Sequence, residues 1–258
     1  MLFTADIGAR TVTLGVFDGE KLRFRASLSA ARGRTADEYA VLLSRLFEMH
    51  GVSPIMEGAV LSSVSKPLNG VMAQAVEQIC GVKPMFLGPG VRTGLDIRAD
   101  VPSQLGGDIA ACCIGALRLQ KPPLAVLLLG TATTLTYLDE KGQLCGVMIC
   151  PGVQPGLDAL SALAGELPTI ALEPPRTLLG RNTVDAMNSG VIFGAAAMAD
   201  GLLARVGREY GQEPLPVIAS GDMAPLVLPY CAAEIRHVPD LVLEGLRLVW
   251  ERNSRPRK

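Results

Sequence analysis

Two copies of one short pattern constrain this chain more than anything else in it. Residues 124–138 read LAVLLLGTATTLTYL: an apolar run, a glycine, a cluster of threonines and a second β-branched run. An unbroken apolar run suits a strand buried on both faces. A glycine followed by hydroxyl residues makes a tight turn whose N–H and O–H groups can face a phosphate. The N-terminus repeats the pattern: Asp6-Ile7-Gly8-Ala9-Arg10-Thr11 lies over Leu128-Leu129-Gly130-Thr131-Ala132-Thr133, with the glycines matched and Thr11 set on Thr133. Each copy then runs into a turn with Asp and Gly, at Asp18-Gly19 and at 139–142. One supersecondary unit used twice predicts two related halves. Two such hairpins across a cleft would bring two phosphate-facing turns to one ligand. Taken alone, a pair of ordinary β-hairpins is the plainer reading.

The rest of the chain predicts mixed α/β structure. Strands are expected at 11–17 and 22–28, a helix at 35–50 opened by the capping box Thr35-x-x-Glu38, a strand at 58–62, a helix from Pro67 to Cys80 and a strand at 85–87. The segment 88–95, GPGVRTGL, holds too many glycines for a helix or central strand. Its Arg92 and Thr93 offer a cation and a hydroxyl, with a carboxylate as the natural partner of the arginine. Next comes Leu105-Gly106-Gly107-Asp108 at the start of an apolar helix reaching Leu119. Asp108 reads either as a capping carboxylate or as a general base set against a substrate hydroxyl. Lys121-Pro122-Pro123 is the best break, dividing the chain into 1–121 and 122–258. Residues 150–156 are expected as a loop before a helix at 157–163. Asn182 or Thr183 caps a long helix to about Tyr210, 217–219 is a strand, 239–250 is the last helix, and 253–258 is a frayed basic tail.

Composition narrows the partners. The chain has 258 residues, enough for two small domains, and its 24 Lys and Arg balance 25 Asp and Glu. That balance argues against nucleic acid as partner and for a small molecule. The start, MLFTADIG, lacks the basic and long apolar segments of a signal peptide, and the apolar stretch from Val191 is interrupted by Asp200. A soluble, cytoplasmic protein without membrane contact is expected. The six cysteines form no Cys-x-x-Cys pair and only His50 and His237 accompany them, which suits reduced thiols rather than a metal cluster.

Taken in order, Asp6-x-Gly8, GPGVRTGL at 88–95, Gly106-x-Asp108, GTATT at 130–134, Pro151-Gly152 and Gly180-x-Asn182-Thr183 resemble the type III pantothenate kinases, over about residues 2–250. The resemblance implies the duplicated ribonuclease-H-like fold of the acetate kinase, sugar kinase, Hsp70 and actin superfamily, with a cleft between its domains. It implies transfer of the γ-phosphoryl group of ATP to pantothenate by a homodimer using Mg²⁺ and a monovalent cation, K⁺ or NH₄⁺. Carried over by position, Asp108 is the base. Asp6, Gly8, Arg10, Thr11, Gly130 and Thr131 face ATP phosphates, with Asp6 holding Mg²⁺ through water. Arg92, Thr93, Gly94, Gly106, Gly107 and Thr183 face the acceptor, Thr183 from the partner subunit.

Five residues, in four places, depart from the family pattern. Ala9-Arg10 replace Asn-Thr, Ile109 replaces Arg, Leu128 replaces the Asp expected to hold the monovalent cation, and Ala99 stands at a substrate tyrosine. Alternative readings are therefore a degenerate paralogue with a binding or regulatory role, or a kinase of another small hydroxy acid.

Overall fold

The computed structural model describes residues 1–98 and 100–254; the Ala99 position lies outside them. In chain order the elements are β1 (Leu2–Ile7), β2 (Thr11–Asp18), β3 (Lys21–Ser29), α1 (Ala36–His50), β4 (Gly58–Ser63), α2 (Lys66–Cys80), β5 (Met85–Phe86) and α3 (Gly107–Leu119). Then follow β6 (Leu124–Leu129), β7 (Ala132–Leu138), β8 (Leu144–Pro151), α4 (Val153–Leu163), α5 (Thr183–Glu209), β9 (Val217–Ser220), α6 (Ala224–Val227), β10 (Arg236–His237) and α7 (Leu241–Ser254).

The repeat is real at the level of topology. One five-stranded sheet runs β3-β2-β1-β4-β5 and the other β8-β7-β6-β9-β10. β1 is antiparallel to β2 and parallel to β4, just as β6 is antiparallel to β7 and parallel to β9. The residue match within the turns is shifted, however. Ile7 pairs with Val12 while Leu129 pairs with Thr133, so the first turn is one residue longer. The bonds closing the turns agree: Gly8 N–H donates to Thr11 O (2.9 Å) and Gly130 N–H to Ala132 O (3.1 Å). Thr11 therefore corresponds to Ala132, not to Thr133. The extra residue could not be seen from the glycines alone, since turn length is set by ladder register.

Two compact units emerge, and they do not divide at 121/122. The first comprises Met1–Leu95, Val101–Gly115 and Leu241–Lys258; the second comprises Asp96–Asp100 and Ala116–Asp240. The C-terminal helix thus belongs with the N-terminal sheet. In that unit, strand alternation puts Phe3, Ala5 and Ile7 into a core with Tyr39, Leu43 and Met72 of α1 and α2. The opposite sheet face, with Leu2, Phe17 and Val60, meets Leu243 and Leu246 of α7 and Ala111 of α3. α3 and α7 approach backbone to backbone: a Cβ on Gly245 would stand 1.9 Å from Ala111 O. α7 also carries the buried Arg247, ion-paired with Glu244 (2.9 Å) and Glu251 (2.5 Å) on its own helix.

Local signals set several ends. The capping box of α1 is present: Glu38 N–H donates to Thr35 Oγ1 (3.3 Å) and Thr35 N–H to Glu38 Oε2 (2.7 Å). Gly51 closes the helix at φ 61°. Two expectations need correction. α4 begins at Val153, not 157, with Gly152 as its N-cap; Pro155 falls in the first turn, where a missing N–H costs no intrahelical bond. The last helix runs to Ser254, so Asn253 is not part of a frayed tail. The basic residues after Ser254 lie outside the described residues.

In the second unit, α5 lays Ala195, Ala196, Ala199 and Leu203 on a core shared with Ala125, Leu127 and Leu129 of β6. At 27 residues and a mean hydropathy of 1.4 in its most apolar window, α5 is long and apolar enough to cross a membrane despite Asp200. One face of it packs on the core of the second unit. Asp200 accepts the N–H groups of Ala232 (2.7 Å) and Ala233 (3.0 Å).

Candidate active site

The first unit gathers two carboxylates where parallel strands end, the usual place for ligands in sheets of this kind. Asp6 sits near the C-terminal end of β1, on the face opposite Ala5 and Ile7. Its parallel neighbour in register is Ser62 of β4, a fully buried serine whose hydroxyl donates to Asp6 Oδ1 at 2.6 Å. The start of α3 rests on the same strand end: a Cβ on Gly107 would lie 3.3 Å from Ser62 Cβ and 3.4 Å from Leu87 O.

Asp108 occupies the first turn of α3. Its carboxylate folds back over Gly106, where a Cβ would stand only 2.3 Å from Oδ1. Glycine is therefore the residue that lets this rotamer exist. Oδ1 is buried and has no hydrogen-bond partner among the described residues. An orphaned buried carboxylate oxygen calls for a proton donor or a cation.

The electrostatics agree with the geometry. Burial, then the charge of Asp108, pushes Asp6 from 3.8 up to about 7, against the lowering effect of the Ser62 hydroxyl. Burial also raises Asp108, opposed by the N–H groups of Ile109 and of Asp108 itself. One helical turn on, the Cys112 thiol is pushed well up by burial and by the charges of Cys113, Asp108 and Asp6. Two desolvated carboxylates that repel each other attract a cation or hold a proton near neutral pH. Either property is useful to an enzyme that deprotonates an alcohol beside a polyphosphate.

The glycine-rich 88–95 loop enters from Leu87, whose N–H donates to Leu61 O at 2.7 Å. Arg92 is exposed and Thr93 half-buried. Leu95 N–H donates to Thr93 Oγ1 (3.2 Å), and Gly94 takes φ +69°, a left-handed conformation that glycine adopts without strain. Gly8, Arg10 and Thr11 are in the first turn, with Arg10 and Thr11 exposed.

The other expected residues belong to the second unit. Gly130 and Thr131 form the turn between β6 and β7, and two further glycines crowd its backbone. A Cβ on Gly152 would be 2.2 Å from Thr131 O and 2.5 Å from Gly130 O, and one on Gly221 (φ +107°) would be 2.2 Å from Leu129 O. Leu128 is half-buried between Thr134 and Ser220 on neighbouring strands. Of the two candidates for the α5 cap, Asn182 performs it, accepting Asp185 N–H at 2.9 Å. Thr183 is exposed at the first helical position. Gly180 packs over that turn, 2.1 Å from Ala186 N at its would-be Cβ.

Sequence reasoning missed Ser62 as part of these sites. Ser62 reads as any strand residue until register sets it beside Asp6. Gly152 stood in the Pro151-Gly152 motif, and Gly221 in Ser220-Gly221-Asp222 reads as facing a nucleotide base or merely turning the chain, but what their backbones approach is tertiary information. Groups of three or more metal-ligating side chains are absent among the described residues.

The fold defines the class. The chain shares it with component A of (R)-2-hydroxyglutaryl-CoA dehydratase from Acidaminococcus fermentans, at 14% identity, TM-score 0.59 and coverage of 99% and 100% of the two chains. It shares it also with the ROK hexokinase of Thermus thermophilus, at 15% identity, TM-score 0.54 and coverage of 98% and 99%. This is the duplicated ribonuclease-H-like fold of the actin, Hsp70 and sugar kinase superfamily. Within that class, residues 2–205 match the family model for type III pantothenate kinase. Relatives bearing that name include one from an Exiguobacterium species, 39% identical over 257 residues and spanning 99% of this chain and all of the relative. Another, from Myxococcus xanthus, is 37% identical over 255 residues, spanning 98% and 99%. The chain belongs to the type III pantothenate kinase family.

Proposed function

We propose that this chain phosphorylates pantothenate with ATP to give 4′-phosphopantothenate, the first step of coenzyme A biosynthesis. The observation that carries the reading, beside family membership, is the orphaned Asp108 Oδ1 at the start of α3, on a carboxylate whose charge acts on Asp6 of β1. Asp108 takes the proton of the primary hydroxyl as that oxygen bonds to the γ-phosphorus. The bond from the γ-phosphorus to the β–γ bridging oxygen breaks, and ADP leaves with that oxygen. Burial raises the carboxyl above its ordinary value, which makes it a stronger base for this task.

The donor set suits Mg²⁺ as well: Asp6 is a half-buried carboxylate oriented by Ser62, and an oxygen-ligated divalent ion is commonly shared between one or two carboxylates, water and phosphates. Bound there, Mg²⁺ would neutralise phosphate charge. Asp6 would hold it through water, while Gly8, Arg10, Thr11, Gly130 and Thr131 face the phosphates. Arg92, Thr93 and Gly94 take the acceptor's carboxylate, and Gly106, Gly107 and Thr183 line its path, Thr183 serving a partner subunit. A homodimer belongs to this reading; exposed Ile149, Leu163, Leu178 and Leu179 supply apolar surface for it. So does a cytoplasmic site of action, where ATP is at hand.

The test is a coupled ADP-release assay on purified protein with MgATP, with and without pantothenate. Pantothenate-dependent release supports the reading. A folded protein that shows none at high ATP contradicts it.

A further inference from the structure

The last turn of α7 grips the loop assigned to the acceptor, and it does so beyond the 2–205 segment that matches the family model. Asn253 makes a two-way bond with the main chain of Arg92. Arg92 N–H donates to Asn253 Oδ1 (3.2 Å), and Asn253 Nδ2 donates to Arg92 O (2.9 Å). The second Nδ2 proton goes to Val249 O (2.8 Å), one turn back on α7, so both amide donors are used and the group is tied to its own helix. Beside it, Arg252 Nη1 donates to Thr93 O. The Arg252 guanidinium also sits over Gly94, 2.7 Å from the position of a Cβ, a place open only because residue 94 is glycine.

Three consecutive loop residues are thus held by two consecutive helix residues. All the holding contacts go to the loop's backbone, or to the space over Gly94. The Arg92 side chain is left exposed. α7 is itself anchored rigidly: Trp250 covers Gly58 of β4, 2.2 Å from where a Cβ would be, and Leu243 and Leu246 are buried against the sheet.

We infer that Asn253 and Arg252 are positioning residues for the acceptor. They set the loop backbone so that the Arg92 guanidinium and Thr93 hydroxyl stand ready before a carboxylate-bearing substrate arrives. This inference rests on the proposed pantothenate site. Its mechanism is pre-organisation: a loop already ordered does not have to be ordered by the substrate. The consequence falls on acceptor binding, not on the phosphate-facing turns.

The test uses the full-length protein with Asn253→Ala and, separately, Arg252→Gln, each checked for an unchanged fold by circular dichroism. Two readouts are taken: hydrogen–deuterium exchange of the peptide covering 88–95, and the KM values for pantothenate and MgATP. Faster exchange in that peptide is expected, together with a KM for pantothenate raised about three- to tenfold relative to any change in the KM for MgATP or in kcat. Unchanged exchange in both variants overturns the latch. Faster exchange with an unmoved KM for pantothenate overturns its role in acceptor binding. If the unsubstituted protein shows no pantothenate-dependent turnover, the proposed function fails instead, and exchange alone judges the latch.

Discussion

Replacing Gly106 by alanine should displace the Asp108 carboxylate by a distance the structure supplies. The new Cβ would stand 2.3 Å from Oδ1, whereas ordinary contact begins at 3.4 Å, so the oxygen must retreat by about 1 Å. A shift of that size in a reacting group costs about a hundredfold in rate. Because the group acts on the hydroxyl proton as the transition state forms, the loss should appear in kcat. Gly107→Ala is the internal comparison. Its closest approaches are 3.3 Å to Ser62 Cβ and 3.4 Å to Leu87 O, which a few tenths of an ångström relieves. It should lose less than about tenfold. Alanine is a poorer N-cap than glycine, so Gly106→Ala should also lower stability by roughly 1 kcal/mol, too little to unfold an ordinary domain. Coupled ADP release at saturating pantothenate and MgATP gives kcat, and thermal melts confirm folding. A folded Gly106→Ala protein with unreduced kcat would refute the placement of Asp108. So would a Gly107→Ala protein more impaired than Gly106→Ala.

Three other outcomes are expected. In the metal-free protein, Asp6 keeps its proton up to about pH 7 when folded but only to 3.8 when exposed. The folded state therefore binds more protons in that window, and stability falls as pH rises through it, by up to roughly 4 kcal/mol. Urea midpoints of Asp6→Asn should exceed those of the unsubstituted chain near neutral pH and merge with them at the acid end; parallel midpoints across the range would show that Asp6 is not strained by burial. The Leu128 side chain offers no oxygen to a monovalent cation, so replacing K⁺ by Na⁺ or choline should leave turnover within about twofold; a strict K⁺ requirement would mean other ligands supply the site. Gly152→Ala puts a methyl group 2.2 Å from Thr131 O, which should move the second turn and raise the KM for MgATP more than that for pantothenate in steady-state kinetics.

Much of the fold was legible because it rests on local signals. The strand patterns at 3–6 and 124–129, the Thr35–Glu38 box and the helix-stopping Gly51 act within a few residues, and the repeat they build survives in both sheets. What was not legible depends on register and on distant backbone. The first turn holds one residue more than the second, and only the strand ladder reveals it. α7 is a C-terminal segment that packs on the N-terminal sheet, so a linear cut at a proline pair misses it. Asp108 was visible as a candidate from the two glycines before it. The reason for Gly106, an oxygen occupying the space of a side chain, required coordinates. Ser62 carried no signal at all, since a buried hydroxyl in GAVLSS differs from its neighbours only by standing opposite Asp6.

The measurement closest to the central claim is the rate of 4′-phosphopantothenate formation by Asp108→Asn, beside calorimetry of its MgATP binding. If Asp108 is the base, product formation falls by at least about a hundredfold while nucleotide still binds. A folded Asp108→Asn protein that forms product at a rate within a few-fold of the unsubstituted enzyme would contradict the account.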